Sequence, residues 1–524
     1  MTGNLYLNDN VTLRANFETR SKKLASVLQK QGIEPDDTIA ILMRNDVRYL
    51  EVIQACRYLG CYFVPLNWHC VATEINHIVQ DSGAKILIAH TDLAHLLVIQ
   101  NLPKVLLAVF PTPNEVIESY RLDIIDYCKT VDMALNLELT LQTADQIDTQ
   151  PQPFRGMFAY TSGSTGRPKG IKRRADNKTV DKYSAYKELS KSLMQLNTND
   201  RFYLAAPIYH SAPNTLSLCS LAASDIDIYI STKFDPEYFL AAINKYKITH
   251  IYIVPTMMIR LLKLSQTIRE QYDLSSLKYA LSTGSACPVE VKSAMIEWFG
   301  PIFYESYGAS EIGFMTLVSS SEALQKPGSV GKVVAGGKIK ILSEDRQELG
   351  PHQSGLIYVD VPLFGQFDYT NFDGDSSEYT YQNYTSVGDI GFLDEEGYLF
   401  INDRQKDMII SGGANIFPLE IESVLIQMHD IVDCAIFGAA HPEFGEMVVA
   451  AVQCRPTTNV TLAQIHEFLD GKLAHFKFPR KLYIHKNLPR EDSGKIFKQK
   501  LRAIYTEPID NKPLSTSQQI ITFS

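Results

Sequence analysis

Nowhere in this sequence does an apolar run approach the roughly eighteen residues that a membrane-crossing helix needs, so no transmembrane segment is expected. The first ten residues, Met1 to Asn10, hold no basic segment followed by an apolar stretch, so no secretion signal is expected either. Cysteine is scattered. Cys56, Cys61, Cys70, Cys128, Cys219, Cys287, Cys434 and Cys454 form no Cys-x-x-Cys pair and no zinc-like spacing, which reads as reduced thiols in a cytoplasmic chain. Positive charge is not in excess: 50 Lys and Arg against 59 Asp and Glu give a formal charge of -9. That balance argues against a nucleic-acid partner, whose phosphates need a net basic face. No internal repeat or low-complexity tract appears, and nothing in the sequence speaks for or against a homo-oligomer.

What is present is a globular chain, 45% hydrophobic and 21% charged, whose 524 residues exceed what one hydrophobic core ordinarily organises. Phe17, Leu24, Val27 and Leu28 recur at helical spacing, and Gly32 stops that helix before the strand-like run Ile39 to Leu42. A second helical stretch, Tyr49 to Leu59, ends at Gly60 and leads into Cys61 to Val64, and a further apolar run follows at Ile86 to Ala89. The alternation returns at Phe202 to Ala205, Ile226 to Ile230 and His250 to Val254. Strand, helix, strand at this interval predicts an α/β fold with parallel sheets covered by helices. Past about Gly328 the texture becomes short alternating strands, such as Gly355 to Val359 and Gly397 to Ile401, which predicts a β-rich subdomain. After Asp403 the pattern resets to strand, helix, two strands and helix: Met408 to Ile410, Pro418 to Met428, Val432 to Phe437, Met447 to Val452 and Leu462 to Leu473. The expected organisation is therefore a large N-terminal domain over 1–402 and a small α+β C-terminal domain over 403–524.

The most specific chemical signal is Tyr160-Thr161-Ser162-Gly163-Ser164-Thr165-Gly166-Arg167-Pro168-Lys169-Gly170. Glycines let backbone N–H groups approach an anion, the hydroxyls donate to phosphate oxygens and Lys169 adds a positive charge, so this reads as a phosphate loop. It is not the G-x-x-x-x-G-K-[ST] loop, because Pro168 stands five after Gly163 and no hydroxyl follows Lys169. Cys287, in Thr283-Gly284-Ser285-Ala286-Cys287-Pro288, has no evident His partner and reads as a small buried residue rather than a nucleophile.

Further ordered motifs follow: Ala206 to His210, Tyr307-Gly308-Ala309-Ser310-Glu311, Val387-Gly388-Asp389, Asp403-Arg404-Gln405-Lys406-Asp407, Ser411 to Pro418 and Pro489 to Lys495. In that order they resemble the adenylate-forming superfamily of acyl-CoA synthetases, peptide-synthetase adenylation domains and luciferases, over nearly the whole chain. The resemblance implies ATP and Mg2+ as cofactors, a small-molecule carboxylic acid and CoA as further substrates, and a C-terminal domain that is mobile. It implies that Glu311 holds the metal, that the Ser310 hydroxyl stands in for the usual Thr, and that Asp389, in register with Arg404, accepts the ribose hydroxyls. It further implies that His210 gates the passage between the nucleotide and acyl pockets, a position that a packing role would also explain. Gly284, Ser285 and Ala286 would lie against adenine, with Tyr307 stacking on the purine beside Gly308. Lys495 would stabilise charge growing on the phosphoryl oxygens, and Asp403 would be the hinge. Gly412 and Gly413, as bare backbone, suit the passage of a thin pantetheine arm, although a turn would also use them.

Within the family, the absence of a carboxylate in Tyr209-His210-Ser211-Ala212-Pro213 points away from amino acids and towards a hydrophobic, medium- or long-chain acid. Transfer to a carrier-protein thiol, and a catalytically silent nucleotide-binding protein, are the alternatives. The chain departs from the family at 368–375, which read Asp368-Tyr369-Thr370-Asn371-Phe372-Asp373-Gly374-Asp375 where a helix start is usual.

Overall fold

The computed structural model describes residues 3–94, 105–123, 134–148, 150–161, 168–174, 183–285, 287–334, 336–361, 367–370, 379–456, 458–490 and 496–505. Two compact units result: 1–327 with 331–338 and 360–378, and 328–330 with 339–359 and 379–524. The α/β class, with a large N-terminal and a smaller C-terminal unit, is the one expected from the sequence.

The larger unit is built on two sheets. The first is parallel throughout, in the order Leu135–Asn136, Leu106–Phe110, Ile86–His90, Thr38–Leu42, Tyr62–Pro65, Gly156–Met157. Its strands are apolar on both faces: Ile39 and Ile41 enter one core cluster while Ala40 and Leu42 enter another. Such two-sided burial is what a parallel sheet layered with helices requires, and it explains why these strands read as unbroken apolar runs. The second sheet runs Asp227–Ile230, Arg201–Leu204, His250–Ile253, Tyr279–Ser282, Phe303–Glu305, all parallel. Leu5–Leu7 adds to its edge in parallel and folds back on Asn10–Thr12 as an antiparallel hairpin. Helices end where the sequence stops them: Val47–Leu59 closes at Gly60, which takes a left-handed conformation with φ 69°.

In the smaller unit, Gly355–Asp360, Tyr384–Leu393 and Leu399–Arg404 form an antiparallel meander. A second sheet centres on Ile431–His441 paired with Gly445–Cys454, with Lys481–His485 parallel to the latter. Alternation along it separates two cores, Cys434 and Ile436 facing one and Ala435 and Phe437 the other. The last expected helix is shorter than its periodicity suggested: it covers Leu462–Leu469 and stops at Asp470-Gly471, where the glycine has φ 71°. Among the described residues, no helix is long and apolar enough to cross a membrane.

One core group makes the larger unit sensitive to acid. His250 is 3% exposed on a central strand, with its ring stacked on Tyr279. Burial pulls its pKa down to about 4, against the opposing pull of Asp200, whose carboxylate is 3.8 Å away. The unfolded chain takes up a proton near pH 6.5 that the folded chain refuses, so stability from this residue is complete above that pH and is lost as pH falls towards 4. The loss amounts to about 3 kcal/mol. Chemical denaturation at a series of pH values should show that slope in the wild type and a flatter one in His250→Gln.

Candidate functional site

Strands Ala159–Thr161 and Lys169–Arg173 pair antiparallel, with Thr161 opposite Lys169. Ser162, Gly163, Ser164, Thr165 and Gly166 lie between these paired ends and outside the described residues. The hairpin is tied by Tyr160, whose hydroxyl donates to Asp81 Oδ2 at 2.5 Å, to the end of the helix Ala72–Asp81.

A second turn carries the expected metal ligand. Gly308–Ala309 pairs with Gly313–Phe314, which puts Ser310, Glu311 and Ile312 at the tip of a tight hairpin. Only glycine fits at 308, because a Cβ there would stand 2.1 Å from the Gly313 carbonyl oxygen. Ser310 Oγ lies 2.8 Å from Ser211 Oγ, the Ser310 carbonyl accepts from Arg173 Nη2 at 3.0 Å, and Glu311 Oε1 accepts from the Tyr369 hydroxyl at 3.0 Å. Ser211 opens the helix Ser211–Ala223, and His210 precedes it as its N-cap with extended backbone. The larger unit therefore brings Lys169's strand, Ser310, Glu311 and His210 into one neighbourhood. The Tyr209 and His210 rings are 4.3 Å apart, and Trp68 meets Tyr209 edge to face.

Nearby, Tyr307 is buried, its N–H bonded to Thr316 Oγ1 at 3.3 Å. The Ser306 N–H donates to the Ser282 carbonyl, which ties this segment to the strand leading into Gly284 and Ser285. Ala286 is outside the described residues. Burial pushes the Cys287 thiol up to about 12, so it stays protonated and suits the packing role read from the sequence.

In the smaller unit, Asp389 stands opposite Arg404 in the meander, with Arg404 Nε 3.4 Å from the buried Asp389 carboxylate. Asp403 is buried beside them. Its Oδ1 accepts from the Arg404 N–H at 2.7 Å and its Oδ2 from the Leu419 N–H at 2.8 Å, at the start of the helix Pro418–Leu425. Burial raises its pKa, and Lys498 opposes that shift. Gly412 and Gly413 form the two-residue loop between Ile409–Ser411 and Ala414–Ile416, at φ 57° and 81°. A two-residue hairpin with positive φ at both positions favours Gly, Asn or Asp, so the turn suits both residues. Lys495 lies outside the described residues.

Sequence reasoning missed four residues that hold this arrangement. Asn45, 5% exposed, donates from Nδ2 to the carbonyls of Ala206 and Ser231, both at 2.9 Å, and accepts from the Ile208 N–H at 2.8 Å. Tyr369 holds Glu311. Lys498, the first residue of the helix Lys498–Tyr505, pairs with Glu422 at 2.8 Å, and Glu422 also accepts from the Ile436 N–H at 2.6 Å. The one signal available was Glu422, a charge set between Ile421 and Leu425 of a helix that buries both.

A family pattern described as AMP-binding enzyme matches residues 12–365, and one described as AMP-binding enzyme C-terminal domain matches 420–495. The 2-succinylbenzoate–CoA ligase of Oceanobacillus iheyensis is 31% identical over 485 residues, covering 92% of each chain. A long-chain-fatty-acid–CoA ligase of Mycobacterium tuberculosis is 27% identical over 500 residues, covering 94% of this chain and 93% of its own. The structure of Bacillus subtilis O-succinylbenzoate coenzyme A synthetase in complex with ATP and magnesium ion superposes with a TM-score of 0.78 at 25% identity, over 95% of this chain and 96% of that one.

Lys498 gives a test of the buried charges around Asp403. Burial disfavours its charge, but Glu422 and Asp403 outweigh that and raise its pKa. Lys498→Met leaves two carboxylates without their cation and should cost about 3–5 kcal/mol near neutral pH. Both carboxylates carry pKa values raised by burial, so they bind protons more readily folded than unfolded. The deficit should therefore shrink as the pH is lowered. Thermal unfolding of Lys498→Met, and of the double variant Glu422→Gln/Lys498→Met, which should recover much of the loss, measures it.

Proposed function

We infer the substrate and the working cycle from one premise: the chain belongs to the AMP-binding enzyme family, as an AMP-forming acyl-CoA synthetase that uses ATP, Mg2+ and CoA. The residues at the Glu311 turn fit the metal. Mg2+ prefers hard oxygen ligands, keeps several waters and is usually held by one or two carboxylates together with substrate phosphates. Glu311 supplies one such carboxylate, and among the described residues no group of three or more His, Cys, Asp or Glu side chains competes with it. Thr161 and Lys169 frame the phosphate loop, Asp389 would accept ribose hydroxyls, and Lys495 would stabilise charge on the phosphoryl oxygens. Gly284, Ser285 and Ala286 would line the adenine side, and His210 would gate the acyl pocket. We place this cycle in the cytoplasm on the scattered spacing of the cysteines, which form no Cys-x-x-Cys pair.

The acid we propose is bulky and apolar, either a medium- or long-chain fatty acid or an aryl acid of similar bulk. The observation that carries this is the start of the helix Ser211–Ala223, where Ser211, Ala212, Pro213 and Asn214 follow His210 with no charge to meet an ammonium or a second carboxylate. Each buried methylene adds roughly 0.8 kcal/mol. A relative named for a long-chain fatty acid falls in that range. Specificity constants for CoA thioester formation across acetate, straight-chain acids, aryl acids and free amino acids should rise with apolar bulk. Acetate or an amino acid at the top of that series would refute the reading.

The two half-reactions need different partners at one site, adenylation requiring Lys495 at the phosphates and thioester formation requiring that face to be cleared, so the cycle needs a pivot, which we place at Asp403. Asp403→Pro fixes φ near about -65°. It should keep ATP–pyrophosphate exchange and lose thioester formation, with Asp403→Ala controlling for the lost carboxylate. Lys495→Ala should show the reverse when supplied with acyl-AMP. Equal loss of both half-reactions in each folded variant would count against alternation.

A further inference from the structure

Tyr369 lies on the three-residue strand Phe367–Tyr369, which pairs antiparallel with Lys169–Arg173 so that Tyr369 stands opposite Ile171. Its neighbour Thr370 is bonded to Gly170 in both directions: the Gly170 N–H donates to Thr370 Oγ1 at 3.0 Å, and the Thr370 N–H to the Gly170 carbonyl at 2.8 Å. The Thr370 hydroxyl in turn donates to Asp81 Oδ2 at 2.6 Å, the same oxygen that receives Tyr160. Gly170 directly follows Lys169, and a Cβ on it would lie 2.6 Å from both the Phe158 ring and Thr370 Oγ1, so the strands cannot separate or slide without losing this fit. Tyr369 is thus fixed to the strand that leaves the phosphate loop.

From that fixed position the Tyr369 hydroxyl donates to Glu311 Oε1 at 3.0 Å, while Arg173, two residues beyond Ile171, donates to the carbonyl of Ser310 at 3.0 Å. The backbone and the side chain of the Glu311 turn are therefore held by one small sheet. A carboxylate without such a bond rotates about its last torsion, which is broad and two-fold. A phenol on Oε1 stops that rotation and leaves Oε2 for a metal ion. We propose that Tyr369 is a positioning residue for Mg2+, orienting the Glu311 carboxylate and coupling it to the phosphate-loop strand. This rests on the reading that Glu311 holds the metal.

The test uses the full-length protein and ATP binding measured by calorimetry, in Mg2+ and in EDTA, beside the Mg2+ dependence of pyrophosphate exchange. Tyr369→Phe keeps the ring and removes the hydroxyl. It should weaken binding in Mg2+ by roughly three- to tenfold, the net scale of one ordinary hydrogen bond, and leave binding in EDTA unchanged. The Mg2+ concentration for half-maximal exchange should rise by more than kcat falls. Glu311→Gln should abolish most of the enhancement by Mg2+, and the double variant should add nothing to it. If Glu311→Gln loses the Mg2+ effect and Tyr369→Phe matches the wild type, the Tyr369 role is wrong and the Glu311 reading stands. Equal weakening by Tyr369→Phe in Mg2+ and in EDTA would mean general packing and would also overturn the role. Full Mg2+ enhancement in Glu311→Gln would remove Glu311 from the metal, and the Tyr369 role with it.

Discussion

A single buried side-chain amide organises the larger unit. Asn45 follows the strand Thr38–Leu42 of the first sheet, and its three hydrogen bonds reach Ala206, Ile208 and Ser231, which follow two strands of the second. Only one orientation of the amide satisfies all three partners, with Nδ2 on the two carbonyls and Oδ1 on the N–H. Loss of the side chain would leave buried backbone groups without partners at the point where the sheets meet, which costs more than the bond itself contributes. Three site segments of this unit follow carboxyl ends of the second sheet, 205–210 after Arg201–Leu204, 283–285 after Tyr279–Ser282, and 306–311 after Phe303–Glu305, and Asn45 bonds directly to the first of them. Parallel sheets offer ligands this edge, where chain ends converge and helix N-termini face outward.

Polar groups near the site are arranged according to their burial. Glu311 is half-buried and shares its neighbourhood with the phenol of Tyr369 and the guanidinium of Arg173, whose pKa burial pulls down to about 10. The bond to Glu311 Oε1 thus comes from a neutral phenol, while the charged guanidinium of Arg173 donates to the Ser310 carbonyl. A fully paired salt bridge there would compete with a metal for the same oxygens. In the smaller unit the opposite holds. Glu422 and Lys498 are largely withdrawn from solvent and paired, with the buried Asp403 beside them, a structural arrangement in which each charge depends on its partner.

How much of this could be read in the sequence depended on the range of the interaction. Strands such as Thr38–Leu42 and Ile86–His90 announced themselves because burial on both faces needs continuous apolar residues, and glycines at 32 and 60 marked helix ends. The Asp389–Arg404 pairing was expected from the resemblance of the motifs, and the structure sets the two residues opposite each other on adjacent strands. Asn45, Tyr369 and Lys498 were not legible. Each acts across a long stretch of chain: Asn45 meets Ala206, Tyr369 meets Glu311 and Lys498 meets Glu422. A single polar residue bonded at such a distance leaves no periodic trace. The departure noted at 368–375 was visible as a mismatch, but its consequence, a strand that pairs with Lys169–Arg173, is a tertiary fact. The glycines at 412 and 413 were visible too, and their hairpin required the structure to be recognised.

Asp403, the pivot proposed above, is held on both of its sides. Upstream, its backbone lies in the strand Leu399–Arg404 opposite Ile390, so the chain before it belongs to the meander. Its side chain is held on the other side, by the Leu419 N–H and by the charge of Lys498. The carboxylate adds a constraint of its own. It accepts from the N–H of Arg404, and Arg404 pairs with Asp389, so a rotation at 403 that carries Arg404 along would change the partner offered to Asp389. On the alternation reading, the residue proposed to hold the ribose and the residue proposed to turn the domain are therefore joined through a single arginine.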